Sequence, residues 1–150
     1  MSEIDKGPYQ PTYDLLELTP QQVSALNKEL EAGRDDAPAP VDALTEDVKQ
    51  LPFIDFDKAR ELITFLAESD FDEDRNTAGF AIANLAIEAD RRRKWLDDIA
   101  LMWANLLTDD HEFPRESSML GLVEATDLGQ LSGAFVSQVA LHLAEKLNYP

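Results

Sequence analysis

The sequence carries an internal repeat with a period of 40 residues, and this repeat constrains the fold more than any other feature. Residues 57–75 align without a gap on residues 97–115, and each segment joins a helical pattern to a short acidic turn and a second helix. The identical pairs are Asp57 and Asp97, Leu66 and Leu106, Asp70 and Asp110, and Arg75 and Arg115. A helix–turn–helix pattern at this period is typical of stacked helical hairpins. The sequence therefore predicts an all-α fold.

These segments resemble HEAT-type helical repeats. In that family a turn aspartate and a basic residue of the second helix accompany small and aliphatic packing positions, and Asp70 with Arg75, and Asp110 with Arg115, match this pattern. The resemblance covers about residues 55–148, as two repeats and a terminal helix, whereas such arrays usually need at least three repeats. Neither first helix carries the proline often found in the family. The resemblance implies a short HEAT-like α-solenoid, and the alternative is a five- to six-helix bundle of antiparallel helix pairs.

Breaks in the pattern divide the chain into three parts. Residues 1–18 contain a glycine and two prolines with little periodicity, and we expect an extended N-terminal arm. Residues 19–53 should form an N-terminal helix followed by an acidic, proline-containing linker. Thr19 is the expected N-cap, because proline follows it and glutamine stands three residues later, as in a capping box. Residues 54–150 are the predicted helical-repeat domain.

The central helix of that domain should span residues 75–89, because it is apolar on most sides and must be buried between neighbours. Asp55 is the expected N-cap of the preceding helix. We expect Pro114 to begin a later helix that runs through Met119, Leu122 and Val123 and is broken by Gly129, after which a last helix follows. The two tryptophans, Trp95 and Trp103, are expected in packing contacts.

The composition limits the classes of partner. Thirty acidic residues against thirteen basic ones give a net charge of −17. This charge repels nucleic-acid phosphates and anionic membranes. It reflects either a general preference of the host organism for acidic, soluble surfaces or attraction to a protein partner with a basic surface. The chain has no cysteine, which excludes thiolate catalysis and suits a reducing compartment. No signal-peptide pattern and no apolar run of about 20 residues occurs, so we expect a cytoplasmic protein.

Two acidic segments raise the question of a metal site. Asp70, Asp72 and Asp74 alternate as in a calcium loop, but the sixth and twelfth positions hold Arg75 and Ala81 instead of glycine and glutamate. Residues 108–112 also concentrate possible ligands, although the other histidine stands far away in the sequence. Because both segments fall in the repeated turn, we interpret them as helix-capping turns. We predict no metal site and no cofactor.

A run of basic residues in this acidic chain allows two interpretations. Arg91, Arg92, Arg93 and Lys94 either end one helix, where cations are favoured, or form a docking patch for an acidic partner surface. Candidate partner-binding residues on the second helices of the repeats, which line one face of such stacks, are Asn84, Glu88 and Glu124.

These observations predict a non-enzymatic acidic protein-binding module, for example an immunity protein or inhibitor that covers a basic partner surface. The alternative is a nucleic-acid mimic that occupies a DNA-binding protein, and a third class is a small helical enzyme or ligand-binding protein. The oligomeric state is not predicted.

Overall fold

The computed structural model describes residues 10–33 and 42–147, and this part of the chain is all-helical, with no strand. A short 3-10 helix, Leu15–Glu17, comes first. The seven α-helices are α1 (Pro20–Ala32), α2 (Ala43–Ile54), α3 (Phe56–Ala67), α4 (Asp72–Arg92), α5 (Leu96–Leu107), α6 (Glu112–Asp127) and α7 (Gly133–Lys146). The prediction of an all-α fold is confirmed, and the helices pack as a bundle.

Several helix ends follow from local sequence. Thr19 forms the predicted capping box: its hydroxyl accepts from the Gln22 N–H, and its own N–H donates to the Gln22 side chain at 2.8 Å. The Asp55 carboxylate caps α3 by accepting from the Lys58 N–H at 3.1 Å. The prediction that Pro114 begins α6 is wrong, because the helix begins two residues earlier, after the capping residue His111.

Helix α4 lies at the centre of the bundle, as its all-round apolar sequence predicts, and it contacts α1, α2, α3, α5 and α6. Its crossing with α6 is close because small residues meet there. A Cβ atom on Gly79 would lie 2.1 Å from the Ser117 hydroxyl oxygen. A Cβ atom on Gly121 would lie 3.2 Å from the Cβ atom of Ala83. Larger side chains at these positions would push the two helices apart.

The N-terminal region shares its core with the predicted repeat domain. Leu15, Val23 and Val48 are buried in the same hydrophobic cluster as Leu85. The carboxylate of Asp47, which is 2% exposed, accepts from the backbone N–H groups of residues 12 and 13 at 3.1 and 2.7 Å. Residues 12–18 therefore lie against the bundle, which corrects the expectation of an extended arm for this stretch. Residues 1–9 of the expected arm, and Pro38 and Pro40 of the expected linker, lie outside the described residues. From Ala43 onward the expected linker forms α2, which contains Pro52.

Candidate functional site

The repeat detected in the sequence is also present in the hydrogen bonds of the two turns. The Ser69 hydroxyl accepts from the N–H of residue 71 at 3.1 Å, and the Asp109 carboxylate accepts from the N–H of residue 111 at 2.9 Å. The guanidinium of Arg75 donates to the Ser69 carbonyl at 3.0 Å, and that of Arg115 donates to the Asp109 carbonyl at 2.7 Å. Each bond has its counterpart 40 residues later, so the two turns have the same design.

Asp70 and Asp110 lie in the two turns, as the repeat predicts, but the residue before each of them makes the hydrogen bonds of the turn. Both aspartates are exposed, and the two arginines donate to the carbonyl groups of the preceding residues. These preceding residues are Ser69 and Asp109: the side chain of each accepts from the N–H two residues ahead, and the carbonyl of each accepts from the arginine. A serine and an aspartate differ in sequence, but both can accept from an N–H group two residues ahead, so the two turns share this bond without sharing the residue.

An ion pair connects the first turn to the second. Arg75 donates through Nε to Asp109 Oδ2 at 2.7 Å and through Nη2 to Oδ1 at 3.2 Å. Burial opposes ionisation of Asp109, but the hydrogen bonds from Arg75 and from the His111 N–H outweigh it and lower the pKa of this carboxyl. Arg115 is the equivalent of Arg75, yet within residues 10–33 and 42–147 no carboxylate lies within ion-pair distance of it.

Helix α6 has two contrasting faces. Its inner face packs on α4 through small residues, and Pro114, Ser117 and Ser118 are buried there. Its outer face exposes Met119 at 48%, Leu120 at 63% and Val123 at 49% of their surface. Phe113 at the start of the helix and Leu128 at its end are also exposed. The helix runs through Met119, Leu122 and Val123 as predicted, but of the three only Leu122 packs against the core.

The outer face of α6 corresponds through the repeat to the face of α4 that binds α6. Met119 and Val123 stand 40 residues after Gly79 and Ala83, which contact α6. Glu116 stands 40 residues after Asn76, whose carbonyl accepts from the Ser117 hydroxyl at 3.3 Å. No described helix covers this outer face. We call it the α6 outer face and define it by Glu116, Met119, Leu120, Val123 and Glu124.

Carboxylates border this apolar surface. Glu116 and Glu124 lie four residues before and after Leu120, so they are its neighbours on the helix surface. Both are exposed, and so are Glu112 and Asp127 at the ends of the helix. Glu124 was a predicted partner-binding residue, and the other members of this face were missed. The repeat could have identified these other members in the sequence, because it aligns large apolar residues of α6 with small interface residues of α4.

Asn84 and Glu88 do not lie on an open surface, which corrects the premise on which they were chosen. The Asn84 amide donates to the Lys49 carbonyl of α2 at 2.7 Å. Glu88 is only 5% exposed, and its carboxylate accepts from Arg91 at 2.7 Å and from Arg92 at 3.1 Å. The hydrogen bond from Arg91 lowers the pKa of Glu88, against the opposing effect of burial. Both side chains contribute to structure within the bundle.

The basic run 91–94 pairs with local carboxylates. Arg91 and Arg92 bind Glu88, while Arg93 lies 3.7 Å from Asp90 and Lys94 lies 3.5 Å from Asp57. The three arginines remain solvent-exposed, with 46–70% of each side chain accessible. Their position at the end of α4 agrees with the helix-terminus interpretation, and the local pairing reduces the charge available to an acidic partner.

Aromatic rings organise the same corner of the bundle. Phe56 and Trp95 stack with their centroids 5.4 Å apart, and the guanidinium groups of Arg60 and Arg92 lie 4.3 and 4.9 Å from the Trp95 and Phe56 rings. Trp95 is half-buried, whereas Trp103 is fully buried and donates to the Ser118 carbonyl at 3.0 Å. Both tryptophans therefore serve packing, as expected.

The three alternating aspartates have different roles. Asp74 is fully buried, and its carboxylate accepts from Ser24, Asn27 and Ser69, which fastens α1 to α4. Asp72 lies in the first turn of α4 and approaches the His111 ring at 3.2 Å, while Asp70 is exposed. Within the part of the chain that the structure describes, no three metal-ligating side chains converge. None of its helices combines the length and apolarity of a membrane span.

No protein-family model, curated protein or solved structure matches this chain. The HEAT-like resemblance therefore stays a prediction.

Proposed function

We propose that this chain is a non-enzymatic module that binds a basic surface of another protein. The observation that carries the proposal is the α6 outer face, which combines exposed apolar side chains with bordering carboxylates. Exposed apolar patches with a polar rim are typical of protein–protein contacts. The apolar centre supplies burial, and the carboxylates select a cationic partner and accelerate its approach.

The net charge of −17 supports the same partner class. Such a field attracts basic proteins over several ångströms and repels acidic ones. An inhibitor or immunity protein that covers the basic cleft of its target is the concrete form of this proposal, and a cytoplasmic location belongs to it. The matching hydrogen bonds of the two turns support a HEAT-like relationship as a further part of the proposal.

Two variants of equal charge test the proposed function. The first reverses three carboxylates along α6, with Glu116→Lys, Glu124→Lys and Asp127→Lys. The control reverses three exposed carboxylates elsewhere, with Glu29→Lys, Glu61→Lys and Glu68→Lys. Each variant changes the net charge from −17 to −17 + 6 = −11. Immobilised wild-type protein and both variants are exposed to extract of native cells, and each protein retained is purified and titrated calorimetrically.

We expect a basic protein to bind the wild type and the control variant with similar affinity and the α6 variant at least tenfold more weakly, with affinity falling as salt rises. Equal weakening by the two variants would assign the effect to net charge and contradict a role for α6. Recovery of no basic protein that binds directly would contradict the proposed function.

A further inference from the structure

The α4 face that binds α6 and the α6 outer face are equivalent through the repeat, and their comparison indicates which secondary-structure element of the partner is bound. On α4 this face is occupied by α6, whose preceding turn delivers the Asp109 carboxylate to Arg75. On α6 the equivalent face is exposed, and the Nε and Nη2 groups of Arg115 meet no carboxylate among the described residues. The α6 outer face and Arg115 thus stand at the positions that receive α6 and Asp109 on α4, and no described helix or carboxylate occupies them.

We propose that the α6 outer face and Arg115 dock an amphipathic helix of a basic protein, and that a carboxylate at the start of this helix binds Arg115. The partner helix lies along α6 as α6 lies along α4. This inference rests on the proposed function and specifies the shape and chemistry of what is bound.

The apolar part of the face fits a helix with small residues in its contact stripe. At the α4–α6 crossing, small residues stand on both helices, such as Gly79 against Ser117 and Ala83 against Gly121. On α6 the equivalents of Gly79 and Ala83 are Met119 and Val123. A partner with glycine, alanine or serine in its stripe leaves room for these larger side chains, and ridges of one helix then pack into grooves of the other.

Charge decides between a foreign helix and a second copy of this chain. Two copies would each bring a net charge of −17 and the same bordering carboxylates, Glu116 and Glu124, to the contact. Like charges across an interface cost binding energy. A helix with lysine or arginine along its flanks satisfies these carboxylates instead, while its single leading carboxylate satisfies Arg115.

The chain itself supplies a suitable probe. Residues 108–127 contain the Asp109 turn and all of α6, with six acidic residues and one basic residue, a net charge of −5. An acetylated and amidated peptide with Glu116→Lys, Glu124→Lys and Asp127→Lys carries −5 + 6 = +1 and keeps the small inner face. We call this peptide the α6 probe. A second peptide differs from it only by Asp109→Asn.

The experiment titrates the α6 probe into isotope-labelled full-length protein and follows the backbone amide resonances. We expect saturable shifts confined to α6 and the turn before it. Leu120→Lys in the protein should weaken binding at least tenfold, because it places a charge in the apolar contact. Phe53→Lys, at an α2 residue with 49% exposure, is the matched control and should leave the affinity unchanged.

The role of Arg115 is tested by a double-mutant cycle. Arg115→Gln should weaken the α6 probe about fivefold, as for an exposed ion pair, and should not change the affinity of the Asp109→Asn peptide. Equal effects on both peptides would overturn the assignment of a carboxylate to Arg115.

Absence of saturable binding, or binding unaffected by Leu120→Lys, would overturn the docking proposal as a whole. Self-association of the wild type in sedimentation equilibrium that Leu120→Lys abolishes would instead assign the face to a second copy and also overturn it. The proposed function is judged separately: if the Lys variant of Glu116, Glu124 and Asp127 loses a captured basic protein but the α6 probe does not bind, the acidic surface functions without docking a helix.

Discussion

The guanidinium group of Arg75 and the carboxylate of Asp109 form a two-point ion pair that joins consecutive turns of the bundle. The side chains are 19% and 10% exposed, so water screens the pair only partly. Asp109 also orders its own turn by accepting from the His111 N–H. One carboxylate thus fixes the conformation of the second turn and its position relative to the first.

Removal of either partner should destabilise the protein. We expect Arg75→Gln and Asp109→Asn each to lower the free energy of unfolding by about 2 kcal/mol, because each leaves a partly buried charged group without its hydrogen bonds. The double variant should lose less than the sum, since both changes remove the same interaction. Urea unfolding measures these values. Arg115→Gln is the control: it removes a similar carbonyl contact but no carboxylate pair, and a loss as large as that of Arg75→Gln would contradict the ion-pair explanation.

The same pair should make stability depend on pH in a definite direction. The pKa of Asp109 is lower in the folded protein than the ordinary value of an aspartate in the unfolded chain, mainly because Arg75 and the His111 N–H bind the ionised form against the opposing effect of burial. Its stabilisation is therefore complete above that value and is lost as the pH falls through the folded pKa. The difference in unfolding free energy between wild type and Asp109→Asn should be constant from pH 6 to 8 and smaller at about pH 3. A difference that grows on acidification would contradict this assignment.

Adding a methyl group at the α4–α6 crossing should destabilise the protein. Gly79→Ala would place its Cβ atom 2.1 Å from the Ser117 hydroxyl oxygen and 3.2 Å from the Pro114 carbonyl oxygen. We expect a loss of about 1–3 kcal/mol from overpacking, in spite of the higher helix propensity of alanine. Adding Ser117→Ala removes the nearest atom and should restore part of the stability. Thermal unfolding of the single and double variants measures these changes in stability. An unchanged or raised melting temperature for Gly79→Ala would contradict the overpacking, because it would mean that the two helices move apart with no loss of folding free energy.

Asp74 should control the attachment of α1. Asp74→Ala leaves Ser24, Asn27 and Ser69 without their shared acceptor, and we expect a loss of about 3 kcal/mol. Amide hydrogen exchange should accelerate throughout residues 20–32 more than in α5. Asp70→Ala is the matched control, because Asp70 is exposed in the same acidic segment and should cost less than about 0.5 kcal/mol. Equal effects of the two substitutions would contradict the special role of Asp74.

Features set by local sequence could be predicted, whereas those that depend on neighbouring helices could not. Thr19 and Asp55 cap their helices through residues three positions away, so the sequence contains the whole interaction. The burial of Glu88 depends on the elements packed around α4, and the local sequence of a helix does not indicate whether one of its polar residues is buried by such neighbours. Periodicity also assigns Met119 and Leu122 to one stripe, although only the packing of α6 on α4 decides which of them faces the core.

The central position of α4 also determines how cooperatively the protein unfolds. Because α4 packs against α1, α2, α3, α5 and α6, the bundle cannot be divided between α4 and α5 into halves that each keep a complete core. The N-terminal helices would lose their shared cluster with Leu85, and α6 would lose the surface against which its small residues pack. Unfolding should therefore be a single cooperative transition, and the repeated hairpins act as one thermodynamic unit rather than as independent modules.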